Sequence, residues 1–195
     1  MARSRKTTEG ASTFTIREVT RATWPDMEAL FESRGAPGYC WCMAWRQTAE
    51  EVRHTDRASR KRMMKSRVDA GTPVGLLAYD GDVPVAWCSV APRETYRKGL
   101  VDPRPGDEAE RIWSVVCFYA KRAYRGRGVF AQLLDRAAEV ARAHGATLLE
   151  AYPVDPDSPS YRFGGFVPAY ERRGFVEVGR AGSRRHVMRL RLDEG

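Results

Sequence analysis

Apolar and polar residues alternate through FTIREV, from Phe14 to Val19, a period of two that predicts a short strand. Thr23, Pro25 and Asp26 then supply helix-start chemistry before an apolar stripe at Met27, Leu30 and Phe31. A second helix is predicted from about Thr48 to Ala70, stopped by Gly71 and Pro73. The runs Val74 to Tyr79 and Val83 to Ala91 flank Asp80-Gly81-Asp82 and read as a hairpin. Residues Pro92 to Ala109 mix proline, glycine and charge, the composition of a long surface loop. The run RIWSVVCFYA, Arg111 to Ala120, is almost continuous in β-branched and aromatic residues, which suits a strand at the centre of a sheet.

From Val129 the period changes. Val129, Phe130, Leu133, Leu134, Ala137, Ala138 and Ala141 lie on one face of a helix ending near His144-Gly145, and Thr147 to Val154 reads as the next strand. Strand, helix and strand with short connections make a βαβ unit, so its two strands are expected to be parallel neighbours. A proline-rich loop, DPDSPSYRFGGF, leads to a short helix near Val167 to Arg173, and strands at Phe175 to Gly179 and Arg185 to Leu192 close the sheet. The expectation is an α/β fold: a single domain over residues 13–195, with a mixed sheet of about seven strands flanked by helices, behind a basic tail at residues 1–12.

Composition changes this picture little. The 195 residues, 43% of them hydrophobic, suffice for one full core. No run reaches the roughly 20 apolar residues of a membrane-spanning helix, and MARSRKTTEGAS lacks a signal's apolar segment, so a cytoplasmic location and no membrane partner are expected. Cys40, Cys42, Cys88 and Cys117 are too scattered for a disulfide framework and read as reduced thiols or small core residues; a single C-x-C predicts no metal. The net charge of +8 points to an anionic partner. The densest basic run, Arg53 to Arg67, carries no base-reading module, so it reads as a solvated face and argues against nucleic acid. A homodimer is compatible with the sequence.

Two segments carry candidate chemistry. In GAPGYCWCMAW the aromatics Tyr39, Trp41 and Trp45 are dense enough either to plug the core or to line a pocket. In YRGRGVFAQLL, Gly126 and Gly128 sit where the central strand enters the helix, a place where exposed amides and the helix N-terminus suit a phosphate and Arg125 and Arg127 add charge. The same glycines would also shape a tight turn with no ligand. The loop has neither the G-K-[ST] of a Walker loop nor the G-x-G-x-x-G of a dinucleotide fold.

Arg125-Gly126-Arg127-Gly128-Val129-Phe130 resembles the [QR]-x-x-G-x-[GA] signature of the GNAT N-acetyltransferases, with Phe130 standing where members usually have Gly or Ala. The likeness continues in the Leu149-Glu150 pair and in Tyr170-Glu171-Arg172-Arg173-Gly174-Phe175, which matches the Y-x-x-x-G-F segment. A second departure is the enlarged loop between Glu150 and Tyr170, which lacks the asparagine that many relatives carry after the strand.

The resemblance implies acetyl-CoA as donor cosubstrate and a primary amine of a small molecule or peptide as acceptor, in a ternary complex. It implies that Phe118, Tyr119 and Ala120 bond the pantetheine arm and that the amides from Arg125 to Phe130, with Gly126, Arg127, Gly128 and Val129 between them, hold the pyrophosphate. Glu150 is then the general base, with Glu110 in reserve, and Tyr170 the acid that protonates the leaving thiolate. Glu150 as a structural sheet-end carboxylate and Tyr170 as a packing aromatic remain the alternatives. Tyr39, Trp41 and Trp45 would wall the acceptor site, with Arg46, Arg93 and Tyr96 for polar selection. Cys117, in a strand without a histidine partner, reads as inert. The competing reading of the whole chain is a noncatalytic acyl-CoA-binding or sensing module.

Overall fold

The computed structural model describes residues 13–99 and 103–192, so the tail predicted over residues 1–12 lies outside the described residues. Seven strands form one sheet in the order β1-β2-β3-β4-β5-β7-β6: β1 (Thr15–Glu18), β2 (Leu76–Asp80), β3 (Val83–Pro92), β4 (Ile112–Ala120), β5 (Leu148–Ala151), β6 (Val176–Ala181) and β7 (Arg185–Arg191). Only β4 and β5 run parallel, joined by α4 (Val129–Ala143); the other neighbours are antiparallel. The α/β class, the mixed sheet and the βαβ unit all agree with the sequence pattern.

α1 (Trp24–Glu32) buries Met27, Leu30 and Phe31 on one face of the sheet, with α3 (Arg57–Asp69) adding Met64 and Val68. α4 covers the other face with Leu133, Leu134, Ala137 and Ala141. Each leucine buried this way is worth about 1.5–3 kcal/mol. No side chain caps the N-terminus of α4, so packing rather than capping holds that helix in place.

The basic region expected as one helix is two. α2 (Ala49–His54) opens with a capping box, in which Thr48 accepts from the Glu51 amide and Glu51 accepts from the Thr48 amide. Thr55 is then extended, and the Asp56 side chain accepts from the Ser59 amide to start α3. A local carboxylate cap outcompetes helix continuation at Asp56. α5 (Val167–Glu171) is a short turn leading into β6.

β4 shapes the functional region. Its pairing with β5 stops at Val115↔Ala151, while its pairing with β3 continues to Ala86↔Ala120. β5 stops where Pro153 offers no N–H, and Val154 bridges instead to Phe166 and Arg185. Beyond Val115, the side of β4 that faced β5 therefore has no strand beside it. A β-bulge between Ser89 and Val90 leaves Val116 unpaired and re-aims the residues after it.

Candidate active site

β4 leads through a turn at Arg122–Tyr124 into the glycine loop. Gly126 and Gly128 have φ of +76° and +82°, and an added Cβ at Gly126 would meet nothing within 4 Å. Backbone conformation rather than space therefore requires glycine there. The first intrahelical bond of α4 runs from Gln132 N to Gly128 O at 3.2 Å, so the amides of Val129, Phe130 and Ala131 have no helical acceptor. With the helix dipole they form a positive cradle of the kind that suits an anion. Arg125 turns its Nε back to Ala120 O at 3.1 Å, and the Arg127 guanidinium lies 5.1 Å from the Tyr124 ring.

Phe118, Tyr119 and Ala120 lie on the unpaired part of β4, half-buried and running toward this cradle. The Phe130 ring leaves the first turn of α4 to pack 4.3 Å from Phe118 and 5.8 Å from Tyr170, centroid to centroid. Tyr170 is fully buried, stacks edge-on against Phe175 and donates to Gly164 O at 2.6 Å. Burial, and behind it Cys88 and Cys117, push the phenol well above its ordinary value, so it keeps its proton.

On the other side of β4 a cavity of about 430 Å³ opens between the aromatic loop and the proline-rich loop. Tyr39, Trp45, Phe118, Tyr119, Tyr161 and Phe163 wall it, with Arg97 at the rim and Cys40, Cys42 and Cys117 also lining it. Trp45 meets Phe163 at 5.6 Å, which ties the two loops together. Trp41 is not part of this wall: it lies in the core, stacked between Trp24 at 5.7 Å and Phe31 at 5.1 Å. Consecutive left-handed residues, Trp41 and Cys42, turn the chain so that Trp41 points inward while Tyr39 stays exposed.

Glu150 is fully buried and does not line that cavity. Its Oε1 accepts from the Tyr152 hydroxyl at 2.6 Å, and its Oε2 accepts from Arg189 Nε at 2.7 Å and lies 2.7 Å from Nη2 of the same guanidinium as an ion pair. Arg189 also holds Asp107 at 2.8 Å, and Arg93 reaches Asp107 at 2.7 Å and Glu150 at 3.7 Å. Tyr152 further meets the Ser114 hydroxyl at 3.0 Å, and burial, then Glu150, push its phenol well up. Glu110 is at the far end of β4, paired with Thr147 and, at 2.8 Å, with Arg191; Thr147 first and Arg191 next hold it below an ordinary carboxylate. The sequence reading thus placed Arg93 at the acceptor, whereas its guanidinium serves this carboxylate cluster. It overlooked Arg189 and Asp107, which meet only across the finished sheet, and Tyr152, which stands two residues from Glu150 on the same strand end, and it overlooked Tyr161 and Phe163, though their density matches that of the loop it singled out. Among the described residues no group of side chains is arranged to hold a metal, and no helix is long and apolar enough to cross a membrane.

Several solved structures share this architecture. An N-acetyltransferase from Staphylococcus aureus Mu50 aligns over 93% of this chain and 100% of its own, at 14% identity and a TM-score of 0.56. A Salmonella typhimurium protein, solved with its cofactor acetyl-CoA, aligns over 94% and 96% at 22% identity and a TM-score of 0.56. An N-acetyltransferase from Thermoplasma acidophilum in complex with coenzyme A aligns over 92% and 99%, at 16% identity and a TM-score of 0.52. At these identities the likeness is one of fold. No curated protein matches the chain in sequence. The family described as "Acetyltransferase (GNAT) family" matches residues 25–175, a span that holds the aromatic loop, the cradle at the start of α4 and Tyr170, and the chain belongs to that family.

Proposed function

We propose that the protein transfers an acetyl group from acetyl-CoA to a primary amine on an apolar or aromatic small molecule or peptide, by direct attack in a ternary complex. One observation carries the donor half: the glycine cradle and the unpaired stretch of β4 adjoin, so a pyrophosphate on the amides of Val129 to Ala131 leads its pantetheine arm along Phe118 to Ala120 as an added strand. The relatives solved with acetyl-CoA and coenzyme A support the choice of ligand. The thioester would then reach β4 beside the aromatic cavity, whose walls favour an apolar acceptor over a wholly polar one.

An amine of ordinary pKa, about 10, is protonated near neutral pH and must lose a proton before it attacks. Glu150 is the proposed sink, reached through the Tyr152 hydroxyl that already donates to it and through water, since its own oxygens are engaged. Tyr170 is the proposed acid: its phenol gives up the bond to Gly164 O and protonates the departing CoA thiolate.

Calorimetric titration with acetyl-CoA tests the donor half. Saturable binding is expected, weakened about tenfold or more in Arg125→Ala/Arg127→Ala, equivalent to about 1.4 kcal/mol. No binding to the folded protein, freed of carried-over CoA, would end the enzyme reading. Binding without thiol release across a panel of amines would leave a sensing module instead.

A further inference from the structure

We propose that the aromatic cavity holds its amine acceptor through a carboxylate on the same molecule, paired with Arg97 at the rim, so that the preferred acceptor is an aromatic or large apolar α-amino acid. The inference rests on the acetyl-transfer reading and names the substrate class within it. Arg97 is the one Asp, Glu, Lys or Arg among the described residues that line the cavity. Its guanidinium carbon lies 5.7 Å from the centre of the Trp45 ring, and its amide donates to Trp45 O at 2.9 Å, which holds the backbone of the rim in place. Among the described residues no carboxylate pairs with that guanidinium and no acceptor takes a hydrogen bond from it.

A second cation stands beside the first. Arg185 places its guanidinium carbon 5.2 Å from the centre of the Trp45 ring and 5.5 Å from that of Tyr161, and both rings line the cavity. Its Nη1 is buried without a hydrogen-bond partner, and among the described residues no carboxylate pairs with it. A buried donor left in this way is costly and calls for an acceptor from outside the chain. Burial foremost, with Arg97 adding to it, lowers the Arg185 pKa, the effect of like charge at close quarters. The contrast with the carboxylate cluster is plain. There Arg93 and Arg189 meet Asp107 and Glu150, two cations against two anions, whereas the two arginines around Trp45 meet none.

Such a wall selects by charge as well as by shape. Its rings alone would suit an ammonium head, but guanidinium groups already lie over Trp45 and Tyr161, so a polycationic acceptor meets like charge where it would seek a ring face. A carboxylate meets weakly hydrated planar donors matched to its two oxygens. The volume of about 430 Å³ is toward the small end of the roughly 300–1,000 Å³ usual for small-molecule sites, which suits one amino acid rather than a polypeptide. Phe163, 5.6 Å from Trp45 and 6.0 Å from Tyr161, offers its side chain an apolar surface. Phe118 and Tyr119, on the strand proposed to bear the thioester, wall the same cavity, so the carboxylate site and the donor share one small space.

Calorimetry on the full-length protein with L-phenylalanine, L-phenylalaninamide, phenethylamine and 3-phenylpropionate, each with and without coenzyme A, reads the carboxylate apart from turnover. The two acids are expected to bind at least about tenfold more tightly than the two molecules without a carboxylate, and to lose about tenfold in Arg97→Ala while the others change by less than about twofold. Arg97→Lys, which keeps the charge but not the planar fork, should recover part of the loss. No binding of the acids, equal affinity for all four molecules, or an acid preference that survives Arg97→Ala overturns the proposal. The comparison among ligands needs no variant, and the Arg97 guanidinium makes no hydrogen bond whose loss would unfold one. Thiol release with acetyl-CoA then separates the two readings. Turnover of phenethylamine with no advantage for phenylalanine would sink the carboxylate site and keep acetyl transfer. Arg97-dependent binding of the acids with no turnover of any amine would keep the site and end the reading of its ligand as acceptor.

Discussion

Tyr170→Phe is expected to lower turnover by about 10²-fold or more, the usual contribution of a positioned proton donor, while acetyl-CoA binds as before. The expectation follows from the phenol's place: fully buried, held protonated by its surroundings, and joined through the Phe130 ring to Phe118 on the strand proposed to bear the donor. The substitution also deprives Gly164 O of its donor, which alone would cost about 1–3 kcal/mol of stability. Two measurements separate these effects. Urea denaturation reports the structural loss, and steady-state thiol release with an acetyl thioester of a more acidic thiol reports the chemistry. A leaving group that needs no proton should recover most of the lost rate. A deficit of the same size with both donors would mean that Tyr170 only packs.

Arg189→Ala is expected to destabilise the fold by about 3–5 kcal/mol, a large share of the roughly 5–15 kcal/mol typical of a domain. Arg189 is the shared partner of Glu150 and Asp107, which are 0% and 8% exposed, and only Arg93 would remain to face two buried carboxylates. A lower urea midpoint at neutral pH is the readout. The same cluster sets an acid limb. Burial would raise the Asp107 pKa, but Arg189, the Arg104 amide and Arg93 outweigh it and hold the group far below its unfolded value of about 3.9. A depressed carboxylate stabilises the fold fully above the unfolded value and loses that contribution as pH falls through the folded one, so the wild type should lose stability below about pH 4. In Arg189→Ala the Asp107 contribution to this decline should shrink. An unchanged acid limb would show that Arg93 and the Arg104 amide suffice.

What the sequence disclosed was local in origin. The alternation in β1, the hairpin at Gly81 and the passage from β4 through two glycines into α4 follow from periods and turn residues a few positions apart, and all are present. The break between α2 and α3 was also written locally, in Thr48 with Glu51 and Asp56 with Ser59, but the continuous positive charge obscured it. The cavity and the carboxylate cluster were not legible in this way. Arg46 meets Ser89 across 43 positions and Arg189 meets Glu150 across 39, and only the completed sheet decides which charges share a partner. Nor could aromatic density tell Tyr39 from Trp41, because their opposite fates depend on two left-handed residues that are not glycine.

The unpaired stretch of β4 has a further consequence, for association between molecules. A strand with free amides and carbonyls is a template on which a second chain can add, and long flat edges invite aggregation. Here the ladder left without a neighbouring strand is confined to Val116 through Ala120 in mid-sheet, its last four residues only half-buried; Ala120 O already accepts from Arg125 Nε, and the turn at Arg162–Gly164 packs against the stretch. So short a ladder, with a turn packed against it, offers little for the edge of another folded sheet to pair with. The gap that the proposed donor would fill is therefore a poor template for association between molecules.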